Sequence, residues 1–159
     1  MKTDENGRHD GEIVACPTAR RPGYVYQRVI DNREGESVVD IRAPIVDSVI
    51  PFVYLKYRPL ASRFGNENAR VVMRETGEVL RPEEVAQLLE FSARLGLDYG
   101  ELDVLRDAHD RLLYVIDANS TPTGPPNGLP RRDRFTALLR LSRAFNTQFL
   151  QPSPHIAAR

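Results

Sequence analysis

The chain has 159 residues, room for one domain with a core of its own, and its 41% hydrophobic and 28% charged residues are ordinary globular usage that argues against a disordered polymer. Its 22 basic and 22 acidic residues cancel, so no global field recruits nucleic acid or an anionic membrane, and neither is expected as a partner. A lone cysteine, Cys16, cannot close an internal disulfide, no apolar run approaches the roughly 18 residues of a membrane span, and the opening MKTDENGRHD lacks a signal peptide's apolar stretch; a cytoplasmic location is the expectation.

Residues 1–23 are polar, are punctuated by Gly7, Gly11, Pro17, Pro22 and Gly23, and read as irregular, with a short strand at 12–15. Residues 24–31 (YVYQRVID) alternate apolar and polar side chains and predict a strand, turned by residues 32–35. Strands follow at 38–46 and 49–57 around a tight turn at Asp47 and Ser48. Pro44 and Pro51 each remove a ladder donor, which predicts bulges or edge positions beside them. A loop over 62–69 leads to a short strand at 70–73. Residues 82–95 are the clearest helix: Pro82 at its first position, Glu83 and Glu84 in its first turn, Val85, Leu88, Leu89 and Leu95 on one stripe, and Gly96 as its stop. Two strands come next, one around 102–105 and one around 112–116. A Pro/Gly-rich link over 121–130 joins them to a second helix at 131–149, whose apolar stripe is Phe135, Leu138, Leu139, Phe145 and Phe149. Strands in series with helices late in the chain predict an α+β fold, a mostly antiparallel sheet with two main helices packed on one side of it.

Chemistry concentrates in the last strand pair. Asp103 sits in an apolar strand core, and Asp117 and Asn119 close the next strand where it enters a turn. Carboxylates are depleted from strands and an unpaired buried charge is costly, so such a group needs a compensating partner. Mg²⁺ suits it, because that ion takes one or two carboxylates plus an amide oxygen and completes its shell with water and phosphate oxygens. The alternative is an Asx-type turn built by Asp117 and Asn119. Side chains alternate along strands, so Asp103 shares a face with Asp117 and Asn119 only if it lies opposite an odd-numbered residue, most simply Val115. That requires an odd-numbered loop, such as residues 108–110, or a bulge.

An Asp-bearing strand, a short turn, an apolar strand ending in Asp117-Ala118-Asn119 and a small-residue/Pro turn from Ser120 to Pro122 together resemble the C-terminal metal-binding hairpin of the ATP-grasp superfamily. The resemblance implies that Asp103, Asp117 and Asn119 hold Mg²⁺ bridging the phosphates of ATP. Asp117 departs from it, since many relatives carry Glu there. Upstream, Gln27, Arg28 and Ile30 are similar to the family's hinge strand against adenine, with an ordinary amphipathic strand as the alternative. Lys56, Arg58 and Arg42 are similar to the cations that approach phosphates and substrate. Lys56 and Arg58, two apart on a strand, share a face, and an Arg fork grips phosphate oxygens where a Lys offers a point charge. Arg63, Asn66 and Asn68 in the following loop are candidates to address an acceptor.

By this resemblance residues 24–150 are an ATP-grasp-like domain, residues 1–23 a remnant of the central subdomain in which Lys2 and Gly7 mark the tail of its phosphate-covering loop, and residues 151–159 a flexible tail. The implied activity is that of a carboxylate–amine ligase using ATP and Mg²⁺ on a small-molecule carboxylate or amine acceptor, with an N-terminal domain or partner chain supplying the rest of the cleft. The alternatives are a non-catalytic nucleotide-binding or interaction remnant, and a purely structural α+β domain. His9, His109 and His155 have no metal-ligand spacing, and Cys16 has no basic neighbour to activate it.

Overall fold

A computed structural model describes residues 1–5, 8, 10–65 and 67–151. Asn6, Gly7, His9, Asn66 and residues 152–159, on which parts of the loop remnant, the acceptor contact and the tail fall, lie outside the described residues.

β1 (Lys2–Thr3) and β2 (Tyr24–Val25) form a small antiparallel ribbon outside the main sheet. The strand expected over 24–31 is therefore confined to its first two residues, and the one expected at 12–15 does not form. Alternation satisfies a strand only where a neighbouring edge accepts its backbone. Here Ile30 is instead buried at 7% exposure and its carbonyl accepts a bond from Arg63, 2.9 Å.

The main sheet contains β3 (Arg33–Glu34), β4 (Ser37–Val46), β5 (Val53–Pro59), β6 (Arg70–Arg74), β7 (Tyr99–Arg106) and β8 (Leu113–Asn119). Its order is β6-β5-β4-β7-β8, with β3 paired to β4, and every pairing is antiparallel. Gly35, at φ 59°, turns β3 into β4, a conformation glycine adopts without steric cost. Pro44 is tolerated in a central strand because β5 pairs with β4 only as far as Arg42, leaving Pro44 with a single neighbour, β7. The fold is thus α+β, with α1 (Thr76–Val79), α2 (Pro82–Leu95) and α3 (Arg131–Phe145), the last running into a π-helical turn over Asn146–Leu150.

The helices lie on opposite faces of the sheet, which corrects the one-sided arrangement. Ile41, Ala43, Ile45, Val53, Leu102 and Val104 point to one face and pack with Leu80, Leu88 and Leu97 around α2. Tyr54 and Val71 point to the other, where they meet Phe52, Leu129 and Ala137 of α3. Full burial of each such aliphatic side chain is worth roughly 1.5–3 kcal/mol, so the α2 face carries most of the hydrophobic cohesion. Glu84, itself buried, locks α2 to the sheet: its carboxylate accepts the backbone N–H of Arg81 at 2.9 Å and the guanidinium of Arg106 at 2.8 Å. Gly96, in the left-handed region at φ 73°, ends the helix as expected. The α3 stripe is a second correction: Phe135 and Leu138 are 66% and 52% exposed, and the buried side chain is Ala137. No helix of the described residues is long and apolar enough to cross a membrane.

Candidate functional site

Alternation along four adjacent strands gathers charged side chains on the face opposite α2. Within β4 and β5 these are Asp40, Arg42, Lys56 and Arg58, with Tyr54 beside them; within β7 and β8 they are Glu101, Asp103, Asp117 and Asn119. Arg42 stands opposite Asp103, Asp103 opposite Asp117, and Glu101 opposite Asn119.

Register depends on one extra residue. From Arg106↔Leu113 to Val104↔Val115 the hairpin runs regularly, and that parity would send Asp103 and Asp117 to opposite faces. A bulge between Asp103 and Val104, with Ile116 as the additional residue on β8, restores the shared face. Asp103 meets Asp117 itself rather than Val115, and the bulge, not a three-residue loop, corrects the parity. Gly100 allows the two strands to approach here, since a Cβ at that position would clash with the Asn119 carbonyl oxygen.

Asp103 is the centre of the cluster. Arg42 donates to it through Nε and Nη2 at 2.8 and 2.9 Å, and Lys56 Nζ lies 3.0 Å from both of its oxygens. Burial works against the Asp103 charge, but the Arg42 hydrogen bonds and the Lys56 ammonium outweigh it, and the carboxyl titrates below its ordinary range. The same hydrogen bonds push the Arg42 guanidinium upwards. Lys56 is only 5% exposed, and this pairing offsets part of the cost of burying it. Beside it, Arg58 is bonded to Asp40, which also accepts from Asn32 Nδ2 at 3.0 Å. Glu101 pairs with Arg42, at 3.4 Å, and burial raises its pKa. The Tyr54 hydroxyl, buried with no hydrogen-bond partner among the described residues, is pushed up by burial and by nearby Glu101.

Of the expected metal ligands, Asp117 is exposed and makes no ion pair among the described residues. Asn119 Oδ1 accepts the Thr121 N–H at 2.9 Å, the Asx turn that was the alternative for this element. Among the described residues no three His, Cys, Asp or Glu side chains are grouped to hold a metal by themselves. The three expected cations, Arg42, Lys56 and Arg58, do share this face.

The expected adenine residues lie elsewhere. Gln27 and Arg28 line a hollow of about 250 Å³ with Cys16 and Tyr26. Arg28 is bonded to buried Asp107 at 2.9 Å and to the Tyr114 hydroxyl at 3.2 Å, which ties it to the β7–β8 turn, and Ile30 belongs to no strand. Lys2 is exposed in the small ribbon. Among the described residues no hydrogen bond or ion pair joins Lys2, Gln27 or Arg28 to Asp103, Lys56 or Arg42. Arg63 bonds Ile30 O and, at 3.2 Å, Asn32 Oδ1, and Asn68 Oδ1 is buried with no hydrogen-bond partner among the described residues. His109 lies in the hairpin turn, 76% exposed at its side chain, and Cys16 is an exposed free thiol.

Asp40, Glu101 and Tyr54 were not anticipated. Each lies two residues from an expected site residue on the same strand, so a period-two reading outward from Arg42, Asp103 and Lys56 would have found them. No protein-family model matches the chain, and no curated protein matches it.

Proposed function

We propose that the charged sheet face binds Mg²⁺ and the phosphates of ATP, in an ATP-grasp-like module of a carboxylate–amine ligase. The observation that supports this reading best is the convergence of Arg42 and Lys56 on Asp103, with Asp117 directly across the β7–β8 pair. A face that carries balanced cations and carboxylates side by side suits a ligand that is itself balanced, a divalent cation on polyphosphate. Arg42 and Lys56 would exchange Asp103 for phosphate oxygens, and Asp103, Asp117 and Asn119 would turn to the cation. The donor chemistry fits, all hard oxygen, provided Asp103 leaves its present partners. Mg²⁺ there would neutralise phosphate charge, while this chain's side chains orient the phosphates. A small-molecule carboxylate or amine acceptor, a further domain or partner chain to complete the cleft, and a cytoplasmic location belong to the same proposal.

Calorimetry with ADP, with and without Mg²⁺, tests it. Wild type should bind in the presence of Mg²⁺, and Asp117→Ala, an exposed change that leaves the fold intact, should abolish the Mg²⁺-dependent part. Equal binding by both proteins regardless of Mg²⁺ would defeat the assignment.

A second reading, a binding module without turnover, is favoured by the double engagement of Asp103, whose oxygens are both occupied by cations. ADP release from ATP separates the two. The chain alone should stay at background, because in this reading the groups that orient the acceptor and exclude water belong to the further domain or partner chain; release abolished by Asp103→Ala would identify a complete enzyme.

A further inference from the structure

α3 packs onto the sheet through Ala137 and, in part, Leu141, which leaves Phe135, Leu138 and Leu139 turned outward at 66%, 52% and 42% exposure. Phe145, at the end of α3 and 39% exposed, bridges from this strip to the sheet, where it meets Tyr99 of β7 edge-on, ring centroids 5.7 Å apart. Single exposed apolar side chains are normal, but these are contiguous. Phe135, Leu138, Ser142 and Phe145 follow one another at the alternating three- and four-residue steps that keep one side of a helix turned towards a second helix. Arg131, Arg132, Arg134 and Arg143 flank the strip, all exposed, and among the described residues none of them makes an ion pair. Arg140, on the inner side, is by contrast bonded to Glu75 at 2.8 Å. A chain with no net charge thus gathers unpaired cations around one apolar strip.

We propose that the outer face of α3 docks an amphipathic helix of a partner protein, one whose apolar stripe is bordered by Asp and Glu. The flanking arginines select the sign of the partner: a second copy of this chain would set guanidiniums against guanidiniums, which opposes association. The helical spacing selects its shape, because a strip one or two side chains wide between Arg134 on one flank and Arg132 and Arg143 on the other fits a single helical ridge better than a flat bilayer. The surface lies on α3 itself and is independent of the nucleotide reading.

The test titrates the full chain with a fluorescent synthetic helix of about three heptads carrying Leu at the seam and Glu at the flanking positions. A second helix carries Lys in place of Glu, vesicles of phosphatidylcholine and phosphatidylserine form a third arm, and sedimentation reports self-association. Binding of the Glu helix but not the Lys helix is expected. Arg132→Glu combined with Arg143→Glu should weaken it at least about tenfold, as should Leu138→Gln, with unchanged melting because all three side chains are exposed. Equal binding of both helices, no binding of the Glu helix, binding to vesicles in its place, or a dimer that occupies the face would each overturn the proposal.

Discussion

The two faces of the central sheet are built by the same strands and do opposite work. On the α2 side Ile41, Ala43, Val53, Leu102 and Val104 make a dry layer that needs no further partner. One residue along each strand, Arg42, Lys56, Asp103 and Glu101 form a layer whose charges depend on each other. Hydrophobic cohesion therefore rests mainly on the first face and paired charge is concentrated on the second, and substitutions one position apart should have different consequences.

The largest expected effect on stability is in the apolar face. Leu102 is fully buried, and Leu102→Ala should cost about 2–5 kcal/mol in urea unfolding. A cost below about 1 kcal/mol would mean that this layer does not carry the fold.

Next is the junction of the two layers. Gly100→Ala drives a methyl group into the Asn119 carbonyl oxygen and the Leu97 side chain, and overpacking of this kind costs about 1–3 kcal/mol. Since the backbone beside Asn119 must move, the Mg²⁺-dependent part of nucleotide binding should fall with it. A variant as stable as wild type would contradict the close approach of β7 and β8.

The finest contrast is in pH dependence. Glu84, which locks α2, is held at about 2 against an ordinary 4.5, chiefly by its hydrogen bonds with Arg106. Its contribution is fully present above pH 4.5 and is lost as pH falls towards 2. Glu101, on the charged face, has the opposite sign: burial raises its pKa, so the native state holds the proton more tightly than the unfolded chain and stability declines as pH rises beyond 4.5. In urea titrations Glu84→Gln should lose stability relative to wild type progressively from pH 2 to 4.5. Glu101→Gln should gain it only above pH 4.5. Parallel profiles for the two variants would break the distinction between the faces.

Local signals made part of this legible. Pro82, Glu83 and Gly96 fix α2 at the residues where it begins and ends, because caps and breakers act within one turn. The charged face was legible wherever period two held, as for Lys56 and Arg58. It was hidden at Ile116, since a bulge is set by how two strands fit and leaves no mark in the sequence of either. Residues 26–31 misled for a related reason: alternation describes one strand, whereas a strand also needs an open edge, and Arg28 and Ile30 were instead claimed by Asp107 and by the core. The α3 stripe had the spacing of a buried helix face, and spacing alone cannot tell a face turned to the sheet from one turned outward.

At the proposed nucleotide site, Arg42 and Lys56 would release Asp103 to a divalent cation only when they find phosphate. Electron spin resonance of Mn²⁺, titrated into the protein with and without ADP, reads this directly. Weak Mn²⁺ binding to the protein alone is expected, strengthened at least about tenfold by ADP beyond what ADP itself binds, with loss of that enhancement in Asp103→Ala and Asp117→Ala. Mn²⁺ binding that is indifferent to ADP, or an enhancement that survives both substitutions, would contradict it.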